Sequence, residues 1–187
     1  MSDPSSKTDR ILAFVGLGLT VALILLFFRS DAFFDWAFER HQNTASWLVR
    51  PLLILPLCYS AWRRTAAGVS FSLLAILSSM FWFPAPPEAR PDVVAFLEME
   101  RAVLRGGWTT SNILGLIAVL SYGVAIVTAF WLRSWRVGFA VALAGAAIKI
   151  AWSLAASPDA GQAVVPYGVG GAIVLALAIF LLRRRMR

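Results

Sequence analysis

Histidine and cysteine are almost missing from this chain, at one residue each, His41 and Cys58. A zinc site usually draws three or four such ligands, so no metal site is expected. A lone cysteine excludes an intrachain disulfide and is expected to fill space inside a helix bundle. The spacings GxSxG, HExxH, GxGxxG and the P-loop are also missing, and with them the common routes to nucleophilic, metal-assisted and nucleotide chemistry. Charge is scarce: Asp, Glu, Lys and Arg make up 14% of 187 residues, against about 25% in a soluble domain. Nothing here calls for a cofactor.

Apolar side chains dominate instead, at 59% of the chain with a mean hydropathy of +0.74. A soluble domain of this size could not bury that much apolar surface, whereas a membrane protein need not. About 20 apolar residues cross the roughly 30 Å of hydrocarbon in a bilayer. Six spans are predicted, over 11–28, 47–62, 66–84, 109–132, 137–157 and 163–182, in one all-α membrane domain covering 1–187. The first follows Lys7 and Arg10 as a signal peptide would. It exceeds the typical apolar core of about 7–15 residues, however, and no small-x-small cleavage site follows. It is therefore expected to be retained. The second contains Arg50, Pro51 and Pro56, and reading it as re-entrant would leave five spans.

Charge placement favours six. With both termini on the cytoplasmic side, that side carries Lys7, Arg10, Arg63, Arg64, Arg133, Arg136 and the tail Arg183, Arg184, Arg185 and Arg187, against only Asp3 and Asp9. The outer side carries six arginines and eight acids, a bias that follows the positive-inside rule and points to a plasma or inner membrane. The high pI of about 10.7 then reflects topology and attraction to anionic lipid rather than nucleic-acid binding. The four tail arginines are candidates for a lipid headgroup, beside their simpler role as a stop-transfer anchor. The eight tryptophans fall near span ends as an aromatic belt.

Two polar outer segments are predicted to form amphipathic surface helices, 31–46 and 92–105. In the first, Ser30 precedes a face of Phe33, Phe34, Ala37 and Phe38. In the second, Asp92 is expected to cap the helix, Gly106 and Gly107 to end it, and Val93, Leu97 and Leu104 to form its apolar stripe. Glu98 is expected to pair with Arg101, while Glu100 interrupts the stripe.

The most telling residue is Lys149, inside the otherwise uncharged stretch 137–157. An ionisable group within a span is expensive and marks a functional site by default, unless its long stem carries the amine to the nearer surface. Gly138, Ala142, Gly145, Ala146, Ser153 and Ala156 lie on or beside its stripe, and small residues mark close helix contacts. The candidate coupling set is Lys149, Glu100, Asp31, Asp35, Asp159 and Ser153, with Glu100 the preferred partner of Lys149. Three function classes follow. The leading one is a membrane protein that handles a small solute, ion or lipid through Lys149 without covalent catalysis. The second is an accessory or scaffold subunit that docks on a membrane-protein partner. The third is a membrane-embedded enzyme using His41, Glu39 and a serine at the outer surface.

Overall fold

The computed structural model describes residues 6–182, and every regular element among them is helical. The tail arginines proposed for headgroup binding lie outside that range. Eight α-helices follow in chain order: α1 Lys7–Arg29, α2 Asp31–His41, α3 Ala45–Trp62, α4 Ala66–Ser78, α5 Pro91–Arg105, α6 Thr110–Trp131, α7 Trp135–Ala156 and α8 Val165–Leu182. A 3-10 turn at Ser79–Phe81 extends α4, and another at Ala160–Val164 leads into α8.

Four helices are long and apolar enough to cross a membrane: Lys7–Arg29, Thr110–Trp131, Trp135–Ala156 and Ala160–Ala178. This is compatible with a multi-pass membrane protein. The other two predicted spans look different. The segment predicted as 66–84 remains α-helical only to Ser78. Ser78 and Ser79 turn their hydroxyls back onto the carbonyls of Ala75 and Ile76, the chain tightens into a 3-10 turn, and Pro84, Pro86 and Pro87 prevent continuation. Its 13 helical residues reach only about 20 Å at about 1.5 Å per residue. α3 covers the span predicted as 47–62 and runs through Pro51 and Pro56 without breaking. It meets α2 at a 93° bend.

That bend corrects the first surface helix. It ends at His41, not at residue 46, and residues 45–46 already belong to α3. Ser30 caps α2 by accepting a hydrogen bond from the Phe33 amide. Phe34, Ala37, Phe38 and His41 form the buried face, the spacing of an amphipathic helix.

The second surface helix, α5, starts one residue earlier than predicted, with Pro91 in its first turn and Arg90 at the cap position. Asp92 does not cap it but pairs with Arg90 at 2.6 Å. Its buried stripe is Val93, Phe96 and Leu97. Leu104, expected in the stripe, is 43% exposed, because the arginines that follow Glu100 turn that end of the helix toward α2.

One end of the bundle gathers the basic connectors. The Asp9 carboxylate of α1 accepts from the Ala66 and Ala67 amides at the start of α4, a favourable place for an anion. Arg64 Nε donates to the Trp131 carbonyl at the end of α6. Both turns here close with an arginine in the left-handed region, Arg64 at φ 55° and Arg133 at φ 58°. In each, an amide one residue further on reaches back five positions, Thr65 to Ser60 and Ser134 to Ala129. This is a helix-ending turn that glycine usually occupies. Leu57, Cys58, Ala61, Ile126, Phe130, Ala142 and Leu175 pack the interior behind this end.

The opposite end carries α2, α5 and the Ala160–Val164 turn. A second core there joins Phe34, Phe38, Trp47, Val93, Phe96, Leu97 and Val164, with Tyr167 packed against it. Arg40 Nε donates to the Phe81 carbonyl and Asn43 to that of Pro84, tying the α2–α3 corner to the end of α4.

Candidate functional site

α5 is the element that builds the site. Val93, Phe96 and Leu97 are followed at the next position of the same stripe by Glu100, so the period that buries this helix also aims a carboxylate inward. There it meets Lys149: Nζ lies 2.6 Å from Glu100 Oε1. The ammonium also lies 5.2 Å from the Phe96 ring centre and 4.7 Å from that of Trp152, within range of the attraction between a cation and an aromatic face.

The lysine is not sealed among the small residues of α7. Gly138 and Gly145 do meet rings of α6, Phe130 and Tyr122, but the Lys149 side chain leaves that face, remains 47% exposed and rises to α5. Snorkelling and ion pairing therefore describe one geometry. The stem carries the amine toward the acidic end, and Glu100, 23% exposed, receives it there.

The other proposed partners of Lys149 are engaged elsewhere or lie open. Arg101 pairs with Asp35, replacing the expected Glu98 contact, and Arg105 pairs with Asp31 at 2.5 Å. Both guanidinium groups cover α2 rings: Arg105 lies 4.1 Å over Phe34, and Arg101 lies 5.4 Å over Phe38. Asp159 is exposed. α5 is thus clamped to α2 by two ion pairs and to α7 by a third. Such partly exposed pairs contribute about 0.2–1 kcal/mol each, less than about 1.5–3 kcal/mol for each large apolar side chain of the stripe.

Sequence reasoning missed the surroundings of the pair. Trp47, expected to be an interfacial anchor, is buried in the second core, with its ring 5.6 Å from Phe96 and 5.4 Å from Tyr167. One turn further along α3 stands Arg50. Its Nε is closed to solvent and has no hydrogen-bond partner among the described residues, and the charge of Glu100 acts on it. The signal for Arg50 was present in the sequence, as an arginine inside an apolar span. So close to the end of a span, an arginine is ordinary and does not stand out. Ser153, one turn from Lys149, is fully buried and its hydroxyl is likewise without a partner. A Lys149–Ser153 dyad is not formed, since the amine goes to Glu100.

His41 is buried at the α2–α3 corner rather than lying at the surface. Its Nδ1 lies 2.8 Å from Ser46 Oγ, and the Ser46 hydroxyl donates to the Asn43 carbonyl. With that proton committed, Nδ1 must be the donor to Oγ. Burial pushes the His41 pKa down to about 2, helped by the positive charges of Arg50 and Lys149. A neutral imidazole donating to a buried hydroxyl is the reverse of a base activating a nucleophile. Glu39 is exposed. The geometry therefore gives the enzyme class no support at His41.

Among the described residues no cluster of His, Cys, Asp and Glu has the makings of a metal site. Apart from the site, an open apolar groove of about 640 Å³ runs along α6 and α7, past Ser121, Val124, Thr128 and Val137. Comparison with known proteins returns no match to a family model, a curated protein or a solved structure.

Proposed function

We propose that this chain is a six-span membrane protein that handles a small solute, ion or lipid headgroup at the Lys149–Glu100 site, without covalent catalysis. The observation that carries this reading is the 2.6 Å pair between a lysine on a spanning helix and a carboxylate on a surface helix. A charge inside a span is costly, and the helix that offsets it is held between a proline-rich connector and Gly106–Gly107. α5 is thereby a removable cover over Lys149. In the six-span arrangement α3 and the short α4 also cross. The basic end faces the cytoplasm by the positive-inside rule, with both termini there, in a plasma or inner membrane.

The test is a thermal-shift screen of the purified protein in detergent against anionic, cationic and neutral solutes and lipids. At least one class should raise Tm in the wild type and fail to do so in Lys149→Met/Glu100→Gln. A shift retained in the double variant would place the ligand elsewhere.

The α6–α7 groove favours a second reading, an accessory subunit that seats a partner helix there. Leu120→Trp with Val124→Trp would fill that groove. It should break a complex isolated from native membranes and leave any ligand-induced thermal shift intact.

A further inference from the structure

The charge of the site does not balance. Arg50 and Lys149 bring two cations, Glu100 brings one anion, and His41 is held neutral beside them. Lys149 is satisfied by Glu100 and by the faces of Phe96 and Trp152. Arg50 is not: its Nε is shut away from solvent with no acceptor among the described residues. A charged donor left in that state is rare in native structures and calls for a missing partner. A guanidinium presents its donors in a planar fork that matches two oxygens of a carboxylate or phosphate. One turn before Arg50 on α3, Trp47 packs between Phe96 on one side and Tyr167 on the other. An apolar body behind the charged group would pack against the edge of this aromatic cluster.

We infer that the site binds an oxyanion, a carboxylate or phosphate group on an apolar body, with Arg50 as the principal donor and Lys149 as the second charge. The inference deepens the function proposed above and rests on it. Glu100 is then the chain's own carboxylate in an oxyanion site, engaging Lys149 and leaving Arg50 Nε without an acceptor. The oxyanion belongs either to a free organic acid or phosphate, or to an anionic lipid headgroup. The chemistry of the site is the same for both.

The test uses the full chain in detergent with benzoate, inorganic phosphate and benzylamine as soluble probes, and in nanodiscs of phosphatidylglycerol or phosphatidylcholine. Benzoate or phosphate should raise Tm saturably, with apparent affinity at least tenfold weaker in Arg50→Gln and unchanged in Arg136→Gln, which lies at the opposite end. A response confined to phosphatidylglycerol over phosphatidylcholine, and lost in Arg50→Gln, would equally support the inference and identify a lipid as the source. Equal weakening in Arg136→Gln would reveal a bulk charge effect and overturn it. A response to benzylamine alone would overturn the oxyanion while keeping the site. Silence from every probe and lipid would overturn both. Should Arg50→Gln fail to fold, the wild type still decides. Quenching of tryptophan fluorescence by 4-nitrobenzoate should saturate and be reversed by benzoate but not by benzylamine. Linear, non-displaceable quenching would sink the idea.

Discussion

Lys149→Met and Glu100→Gln probe the pair that joins the surface helix to the bundle. A fully exposed pair contributes about 0.2–1 kcal/mol, and stranding one partner of a fully buried pair costs about 3–5 kcal/mol. Lys149 at 47% and Glu100 at 23% exposure fall between these limits. Each single change should therefore cost about 1–2 kcal/mol, because it leaves a partly buried charge without its direct partner. The double variant should cost little more than either single one, a coupling of about 1 kcal/mol. For a chain of this length 1 kcal/mol moves Tm by about 2–4 °C, so tryptophan-detected melting in detergent resolves the cycle. Losses that simply add would mean that the two side chains do not stabilise one another. α5 would then be held by Val93, Phe96 and Leu97 alone, and the charge in α7 would need another account.

His41 makes stability depend on pH. Its folded pKa of about 2 lies below the ordinary value of 6.5, so the unfolded chain takes up the proton first. The full contribution is present above pH 6.5 and falls by about 1.4 kcal/mol per unit as pH drops toward 2. Melting at pH 7, 6 and 5 should show this slope in the wild type and lose it in His41→Gln. Arg64→Gly and Arg133→Gly relieve a left-handed backbone and should each raise Tm by about 1–4 °C, from about 0.5–1 kcal/mol of relief. A drop at Arg64 would show that its bond to the Trp131 carbonyl outweighs the strain. Hydrogen exchange in α5 should be faster than in α6 and α7 if it serves as a cover, whereas equal protection would make it a fixed cap. Cysteine labelling should reach the Ser2 position only from the cytoplasm and the Ala89 and Ala160 positions only from outside. Labelling of Ala89 from the cytoplasm would invert the topology.

Much of the architecture was legible because span length and helical period are strong signals. The helices α6 and α7 fall within two residues of the predicted ends of their spans, α8 begins within two of its own, and the Phe34, Ala37 and Phe38 face of α2 is buried as its spacing implies. What escaped were events that local pattern does not encode. The corner at residues 42–44 depends on Asn43 and Arg40 bonding across to the loop after α4. The early end of α4 depends on serines turning onto their own backbone. Within the site, Lys149 announced itself by scarcity and Glu100 by breaking an apolar stripe. Arg50 and His41 sit near helix ends, where charge is ordinary. Only their burial in the folded bundle makes them unusual.

The cap that Asp9 places on α4 bears on the order in which the chain is made. α1 packs against α4 and α2, and the residues that complete its contact with α4, Ala66 to Phe71, are synthesised more than 50 positions after Asp9. At about 5–20 residues per second, α1 exists for several seconds before its neighbour does. α4, at 13 helical residues, is too short to be a strong insertion signal by itself. The waiting α1 supplies what α4 lacks. It offers an acidic cap for the α4 amides and, at Gly16, a surface so close to Ser70 that an added methyl would lie 2.5 Å from the hydroxyl. An earlier segment of the chain thus offers the surface on which a weaker later one is seated. A substitution at Gly16 would therefore show itself first as failed biogenesis, before any change in the finished protein could be measured.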